Sequence, residues 1–360
     1  MSDDSQLKAI RKEIDAIDEK IQALITERAL CAEQVAKTKQ ENDSGSFYRP
    51  DREANVLRRV LARNKGPVAD DEMTRLFREI MSVCLALESP LTVAYLGPEG
   101  TFTQQAALKH FGHSVNALAL GAIDEVFREV ESGSAQFGVV PVENSTEGVI
   151  SHTLDIFMRS DLKVCGEVQL RVHQHLLSQQ SEQGEIKKIV SHQQSLAQCR
   201  EWLDASMPNV ERVAVSSNAE AARIASTEKN TAAIASESAA AIYSLNILAS
   251  NIEDDPDNTT RFLVIGKIEP VSTGNDKTSL LLSGKNKPGA LHDLLGILAK
   301  HGINMTRIES RPSRQVAWEY VFFLDLQGHA QDGNVSKALE ELKSDAALFK
   351  LLGSYPVSVL

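Results

Sequence analysis

Leu7, Ile10, Ile14, Ile17, Ile21 and Leu24 recur at alternating spacings of three and four, which draws an apolar seam along one side of a single long helix. From about residue 6 to 41 such a helix spans about 50 Å, more than residues 1–90 can cover with their own side chains. The expected remedy is a second copy of the chain laid along the seam, an intertwined homodimer. The same register puts Arg28, Cys31, Val35 and Thr38 on the seam, and a guanidinium there is costly to bury unless an anion meets it. Lys39 shares that face about 16 Å farther on, and Arg11 flanks the seam near its start. Cations along an apolar seam point to a polyanionic ligand. A second helix opens at Pro50-Asp51-Arg52-Glu53 and stops at Gly66-Pro67; a third runs from about Asp70 to Ser89. The stripe Phe77, Met81, Cys84 of the third helix ends on Glu88, an ionisable group where an apolar one is expected.

A net charge of -11 over 360 residues argues against nucleic acid or an anionic membrane as partner, so an anion site is expected to be a local cluster of cations. Cys31, Cys84, Cys165 and Cys199 are scattered, without CxxC or His neighbours at ligand spacing, so neither a metal nor a disulfide framework is expected. No signal-like or membrane-spanning apolar run occurs, and the expected location is the cytoplasm.

From residue 91 the grammar changes to strand, loop, helix. Leu91 to Leu96 ends in Gly97-Pro98-Glu99-Gly100-Thr101-Phe102 before a helix that Gly112 stops. The pattern recurs at Pro141-Val142-Glu143-Asn144-Ser145, at Ser191-His192-Gln193, and at Ser216-Ser217-Asn218. Repeated units of this kind imply a doubly wound α/β sheet with its site at the strand ends, where helix N-termini make anion cradles. Neither GxGxxG nor GK[ST] is present, so no nucleotide cofactor is expected. Asn258-Thr259-Thr260-Arg261-Phe262 opens a further buried strand; alternation sends Thr260 and Phe262 to one face and Arg261 to the other unless the backbone is still turning.

Leu7 with Arg11, the Glu27-Arg28 pair, Lys39 and Asp51-Arg52-Glu53 resemble the all-helical chorismate mutase domain. That resemblance implies that Arg28, Lys39 and Arg52 grip the two carboxylates and ether oxygen of chorismate, that Glu53 meets a ring hydroxyl, and that Arg11 reaches the other subunit's site. Arg49, Cys84 and Glu88 stand where an aspartate, a serine and a glutamine are familiar, and complete the expected mutase site. Gly97-Pro-x-Gly100-Thr101-Phe102, Pro141-Val-Glu-Asn144-Ser145 and Thr260-Arg261-Phe262 resemble prephenate dehydratase. The family implies two lobes like a periplasmic binding protein, residues 91 to about 170 with about 247 to 270 forming one. It makes Thr260 the hydroxyl donor to the leaving hydroxide, Arg261 a carboxylate ligand and Phe262 a wall of the pocket. Glu143 is a candidate to recharge Thr260, and Gly100, Thr101, Phe102, Asn144, Ser145, Ser191, His192, Gln193 and Asn218 are expected substrate contacts.

After residue 277 the order strand (278 to 283), helix (289 to 301), strands (305 to 311 and 316 to 326), helix (334 to 343), strand (349 to 358) reads as a ferredoxin-like fold. Pro288-Gly289-Ala290-Leu291 and Glu309-Ser310-Arg311-Pro312 resemble the phenylalanine-sensing ACT domain. The resemblance implies an allosteric phenylalanine held by Gly289, Ala290, Leu291 and His292 with Glu309, Ser310, Arg311 and Pro312. The whole chain thus reads as a multidomain enzyme: mutase (1–90), dehydratase (91–270) and ACT module (278–360), acting on chorismate and prephenate without a cofactor. Two rivals stand beside that reading, a non-catalytic small-molecule sensor and a dehydratase whose mutase-like domain serves only dimerisation.

Overall fold

The computed structural model describes residues 3–41, 47–285, 287–313 and 320–359. Helix α1 (Asp3–Glu41) is a single rod of 39 residues, about 58 Å long. Its C-terminal half packs on α3 (Asp70–Glu88) through Ala32 and Ala36, while α2 (Pro50–Arg63) buries Ala54, Leu57 and Val60. Among the described residues nothing covers the seam of the N-terminal half: Leu7, Ile10, Ile14, Ile17 and Ile21 are each about half exposed and Leu24 is 63% exposed.

The middle of the chain folds as β1 (Thr92–Leu96), α4 (Phe102–Phe111), β2 (Asn116–Leu120), α5 (Ile123–Ser132), β3 (Phe137–Asn144), β4 (Gly148–Val149), α6 (Ser151–Phe157) and β5 (Lys163–Arg171). It continues with β6 (His175–Ser178), β7 (Lys188–His192), α7 (Gln193–Gln198), α8 (Arg200–Ser206), β8 (Glu211–Val215), α9 (Asn218–Ala225), β9 (Thr231–Ala235), α10 (Glu237–Tyr243), β10 (Asn246–Ala249) and β11 (Thr259–Gly266). Two sheets result, β2-β1-β3-β11-β5 and β10-β6-β9-β7-β8. Each is mixed: β1 runs parallel to β2 and β3, whereas β11 enters antiparallel between β3 and β5. The chain crosses between lobes twice, as expected, but β10 belongs to the second sheet, so the return lies at residues 250–258 rather than near 247. The crossing segments hold each other through Val172 N–H to the Asn258 carbonyl at 2.8 Å and Ile252 N–H to the Gln174 carbonyl at 2.9 Å. A second brace joins the lobes where Ser236 Oγ donates to the Gly100 carbonyl at 3.0 Å. Gly100 has φ +87°, and a Cβ there would meet Ala239 Cβ at 3.3 Å, so both the turn and the approach favour glycine.

The last segment is β12 (Asp276–Ser283), α11 (Ala290–Lys300), β13 (Met305–Pro312), β14 (Tyr320–Gln327), α12 (Gly333–Asp345) and β15 (Leu348–Pro356), an antiparallel sheet β13-β14-β12-β15 in ferredoxin-like order. The expected start of β14 at residues 316–319 lies outside the described residues. One sheet face is covered by α11 and α12 over Leu280, Leu282, Leu324 and Leu326. The other face shares a core with the first lobe, Leu281, Val321, Phe323 and Leu352 packing with Val140, Leu263 and Ile265.

Inside that shared face lies a buried charge cluster. Arg261 of β11 pairs with Glu167 of β5 at 2.8 Å and with Asp325 of β14 at 2.5 Å, and donates to the Tyr355 hydroxyl at 3.0 Å. Lys277 meets Glu167 at 2.8 Å, which balances two cations against two anions. Burial alone would raise the Asp325 pKa; Arg261 and the Ser279 hydroxyl outweigh it and hold the carboxylate below its ordinary range. Removing one charge from such a cluster leaves another without its full complement. Asp325→Asn should therefore lower stability in urea by about 3 kcal/mol at pH 7, and the deficit should shrink as pH falls through the depressed Asp325 pKa. An unchanged urea midpoint would show that the cluster contributes nothing net.

Candidate active sites

A cleft of about 800 Å³ separates the two lobes. From the first lobe Thr101 and Phe102 of the β1–α4 junction, Asn144 at the end of β3 and Thr260 at the start of β11 face it; from the second come Gln174, His192, Ser195 and Asn218. Thr260 is buried, and its Oγ1 accepts a 2.8 Å hydrogen bond from Asn144 Nδ2, which also donates to Asn258 Oδ1 at 2.8 Å. The amide orientation follows from its other end: Asn144 Oδ1 accepts from the Thr146 and Glu147 N–H groups at 3.1 and 3.0 Å. Because Asn144 uses a lone pair of Thr260, the hydroxyl proton of Thr260 is left to point at whatever fills the cleft. Opposite, Asn218 Nδ2 reaches Ser195 Oγ at 2.9 Å, and Gln174 Nε2 reaches the same oxygen at 3.0 Å.

Among the described residues that line this cleft there is no lysine or arginine. What the cleft offers an anion is backbone dipoles instead. Helix α4 begins at Thr101, whose Oγ1 caps Gln104 N–H, and α9 begins at Ser217, whose Oγ caps Glu220 N–H at 3.0 Å. Both starts open on the cleft, with Asn218 in the first turn of α9, and both present positive dipole ends and unpaired N–H groups.

Several expected contacts lie elsewhere. Arg261 points away into the cluster described above, because strand alternation sets it opposite Thr260. Phe262 is 1% exposed in the core with Tyr95 and Phe137. Glu143 lies across β3 from Asn144 and pairs with Arg307 of β13 at 3.2 Å, away from Thr260. Ser145 clamps the start of β11 by accepting from Thr259 N–H at 2.9 Å. Ser191 is buried beneath Asn218, 3.3 Å from its Oδ1. Gly100 braces the lobes, and Gln193 is exposed while its neighbour Gln194 lines the cleft. Gln174 and Ser195, which the sequence reading missed, carry no signal beyond being polar residues at a strand end and a helix first turn.

A second cavity, about 480 Å³, sits between α1, α2 and α3 and gathers Arg28, Lys39, Arg49, Arg52, Glu53, Cys84 and Glu88. Arg28 donates to the Ile80 carbonyl at 3.4 Å; Lys39 donates to the Phe47 carbonyl at 3.3 Å and lies 5.2 Å from the centre of the Phe47 ring. Arg49 forms a two-pronged pair with Asp51, at 2.8 and 3.0 Å. Burial pushes the Glu88 carboxyl above its ordinary value against the pull of Lys39, Arg28 and Arg52. Burial likewise pushes Glu53 up to about 7, opposed by Arg78, the Tyr48 hydrogen bond and Arg28. Arg11 is exposed on α1, about 25 Å before Arg28 along the helix, and belongs to no cavity of its own chain described here.

A third cavity, about 380 Å³, is lined by Gly289, Ala290, Leu291 and His292 together with Tyr320 and Phe322. Ser310 and Pro312 stand in register with Phe322 and Tyr320. Arg311 instead grips Asp155 at 3.1 Å and Ser151 at 2.8 Å on the first lobe, and alternation turns Glu309 to that same side.

Three family models match consecutive parts of the chain: chorismate mutase type II over residues 10–89, prephenate dehydratase over 93–270 and ACT domain over 278–344. A bifunctional chorismate mutase/prephenate dehydratase of Stutzerimonas stutzeri is 58% identical, with all of both chains covered. The chain belongs to the bifunctional chorismate mutase/prephenate dehydratase family. The Pseudomonas aeruginosa protein of the same name is 56% identical over the full length of both chains. Among solved structures, the prephenate dehydratase of Arthrobacter aurescens in complex with L-Phe superposes with a TM-score of 0.70 at 34% identity, covering 74% of this chain and 90% of that one. The helical cavity therefore lies in the mutase domain, the cleft in the dehydratase domain and the third cavity in the ACT domain.

The raised Glu53 pKa has a thermodynamic consequence in the mutase domain. The folded state holds that proton up to about pH 7, whereas an unfolded chain releases it near 4.5, so stability falls as pH rises between those values. Glu53→Gln cannot titrate, and its stability relative to the parent should grow by about 2 kcal/mol from pH 5 to pH 7 in urea unfolding. A difference that stays constant over that range would make Glu53 an ordinary solvated carboxylate.

Proposed function

We propose that the chain rearranges chorismate to prephenate in the mutase cavity and converts prephenate to phenylpyruvate in the dehydratase cleft. The observation that carries the second step is the hydroxyl of Thr260, oriented from behind by Asn144 with its proton directed into a cleft lined by two helix N-termini. Prephenate must lose carbon dioxide and hydroxide together as its ring becomes aromatic, and a positioned donor lowers the barrier to hydroxide departure. The helix starts and the Asn218–Ser195–Gln174 group are placed to hold its carboxylates. In the mutase cavity Arg28, Lys39, Arg49 and Arg52 supply the charge that a dicarboxylate needs, and the reaction asks only for a compact conformer and stabilisation of the ether oxygen. A domain kept only for dimerisation has no use for four cations around one cavity, which favours an active mutase over that rival.

The bare seam of α1 supports a homodimer in which Arg11 of each copy completes the other's mutase cavity. The third cavity, with the L-Phe complex of the Arthrobacter enzyme, supports phenylalanine as a regulatory ligand at the ACT domain, beside Gly289 to His292 and against Ser310 and Pro312. Because the ACT sheet reaches Arg261 and Glu143, one residue from Thr260 and Asn144, a ligand that shifts this sheet acts directly on the strands that hold the donor.

Two substitutions test the chemistry. With purified protein, Thr260→Ala should cut phenylpyruvate formation from prephenate by about a hundredfold or more while leaving chorismate consumption intact, and Thr260→Ser should keep much of the activity. Wild-type turnover in the alanine variant would make Thr260 structural. The ether oxygen of chorismate gains negative charge as its bond stretches and needs a donor, which Glu88 supplies only when protonated. Its raised pKa places the loss of mutase activity on the alkaline side, falling as pH rises through that pKa, and Glu88→Gln should flatten this limb. An unchanged profile in the glutamine variant would remove Glu88 from the reaction.

A further inference from the structure

The mutase cavity is lined by residues between Arg28 and Glu88, yet one of them is held in place from outside the mutase domain. Tyr48, in the connection between α1 and α2, lines the cavity yet is only 2% exposed, because its ring is sunk into the dehydratase domain. The ring centre lies 5.1 Å from that of Phe111 and 5.0 Å from that of Phe137. Its hydroxyl lies 2.9 Å from His110 Nε2 and also hydrogen-bonds Glu53. His110 closes α4 one residue before its end, and the same helix begins at the dehydratase cleft with Phe102. Arg78 of α3 seals the junction by donating to the carbonyls of Lys109 and Val359.

We propose that Tyr48 is a positioning residue of the mutase site, held in place by His110 of the dehydratase domain, so that Glu53 is oriented by a group the mutase domain does not itself contain. The hydrogen inventory explains why three groups are needed. An ionised Glu53 only accepts, so the single Tyr48 proton goes to it, and the Tyr48 oxygen must then be met by a donor, which is His110 in its Nε2–H form. His110 is suited to this because burial beside Arg78 pushes its pKa down to about 3, keeping the ring neutral. The groups that act most strongly on Glu53 are Arg78 of α3, the Tyr48 hydroxyl and Arg28 of α1, all three favouring its ionised form, while Lys39 of α1, Arg49, Arg52 of α2 and Glu88 of α3 line the same cavity. Glu53 accepts from a ring hydroxyl of chorismate when ionised, so mutase activity carries an acid limb near the Glu53 pKa of about 7, and the Tyr48 hydrogen bond holds that limb below where burial alone would put it.

The inference rests on chorismate being the substrate of this cavity, and full-length parent protein inert towards chorismate would overturn that reading by itself. Given an active parent, Tyr48→Phe keeps the ring contacts and removes the hydroxyl. It should raise the mutase KM about tenfold with little change in kcat, and move the acid limb to higher pH. His110→Phe should lower mutase kcat/KM in the same direction although the residue lies in the other domain, while His110→Gln, which keeps an N–H near the Nε2 position, should restore most of it. Dehydratase kcat/KM, measured from prephenate in each variant, should stay within about twofold of the parent because no cleft contact changes. The proposal is overturned if Tyr48→Phe leaves KM and the acid limb where they were, or if His110→Phe behaves as the parent. It is equally overturned if the variants lose both activities in step with a lower melting temperature, which would make the contact a domain fastener and nothing more.

Discussion

Arg261 is the interaction on which the arrangement of this molecule turns. A guanidinium so deeply buried is tolerable only because Glu167, Asp325 and the Tyr355 hydroxyl meet it from three strands, two of which belong to the ACT domain. Its neighbour Thr260 faces the opposite way into the cleft. One strand thus carries a tether on one face and a cleft-facing hydroxyl on the other, and the same two-residue repeat governs β3, where Glu143 goes to the ACT sheet and Asn144 to Thr260. The ACT domain is therefore not hung from a linker; it forms the rear wall of the sheet that carries Thr260.

The helical cavity and the cleft present opposite electrostatics. The mutase cavity uses full charges, and its carboxyl groups respond: Glu53 and Glu88 both sit above their ordinary values because burial outweighs the nearby cations. The cleft relies on helix starts and neutral polar groups among its described lining residues. Fixed dipoles of this kind keep their sign at every pH, so the dehydratase site depends less on titration than the mutase site does.

This contrast also marks what was readable from the sequence. Periodicity specified α1, the ferredoxin-like order and the alternating α/β middle, because each is a repeating pattern over many residues, whereas the division of that middle into two lobes came from the family resemblance. The mutase cations were legible for a related reason: Arg28 and Glu88 interrupt apolar stripes. The expected cluster of cations is absent from the described lining of the cleft, where the helix starts that open on it leave no mark in composition. Arg261 is the most instructive case. Alternation along the strand sends it away from Thr260, whereas family resemblance placed both in the pocket, and the local geometry prevailed. Tyr48 was passed over because nothing in a single chain reading reveals that an aromatic between two helices will be buried by a domain that starts over 40 residues later.

The placement of β11 also bears on how the molecule is made. Thr260 pairs with β3 and β5, strands completed before the entire second lobe is synthesised, and Arg261 then waits for Asp325, 64 residues farther along, and for Tyr355 beyond it. A ribosome-bound chain can finish the helical domain and the second sheet early. Strand β11 comes late, and its buried charge has no carboxylate from the ACT sheet until almost the whole polypeptide has emerged. Vectorial synthesis therefore makes the dehydratase centre one of the last parts to become ordered, and a nascent chain stalled after residue 270 carries an arginine for which part of the interior does not yet exist.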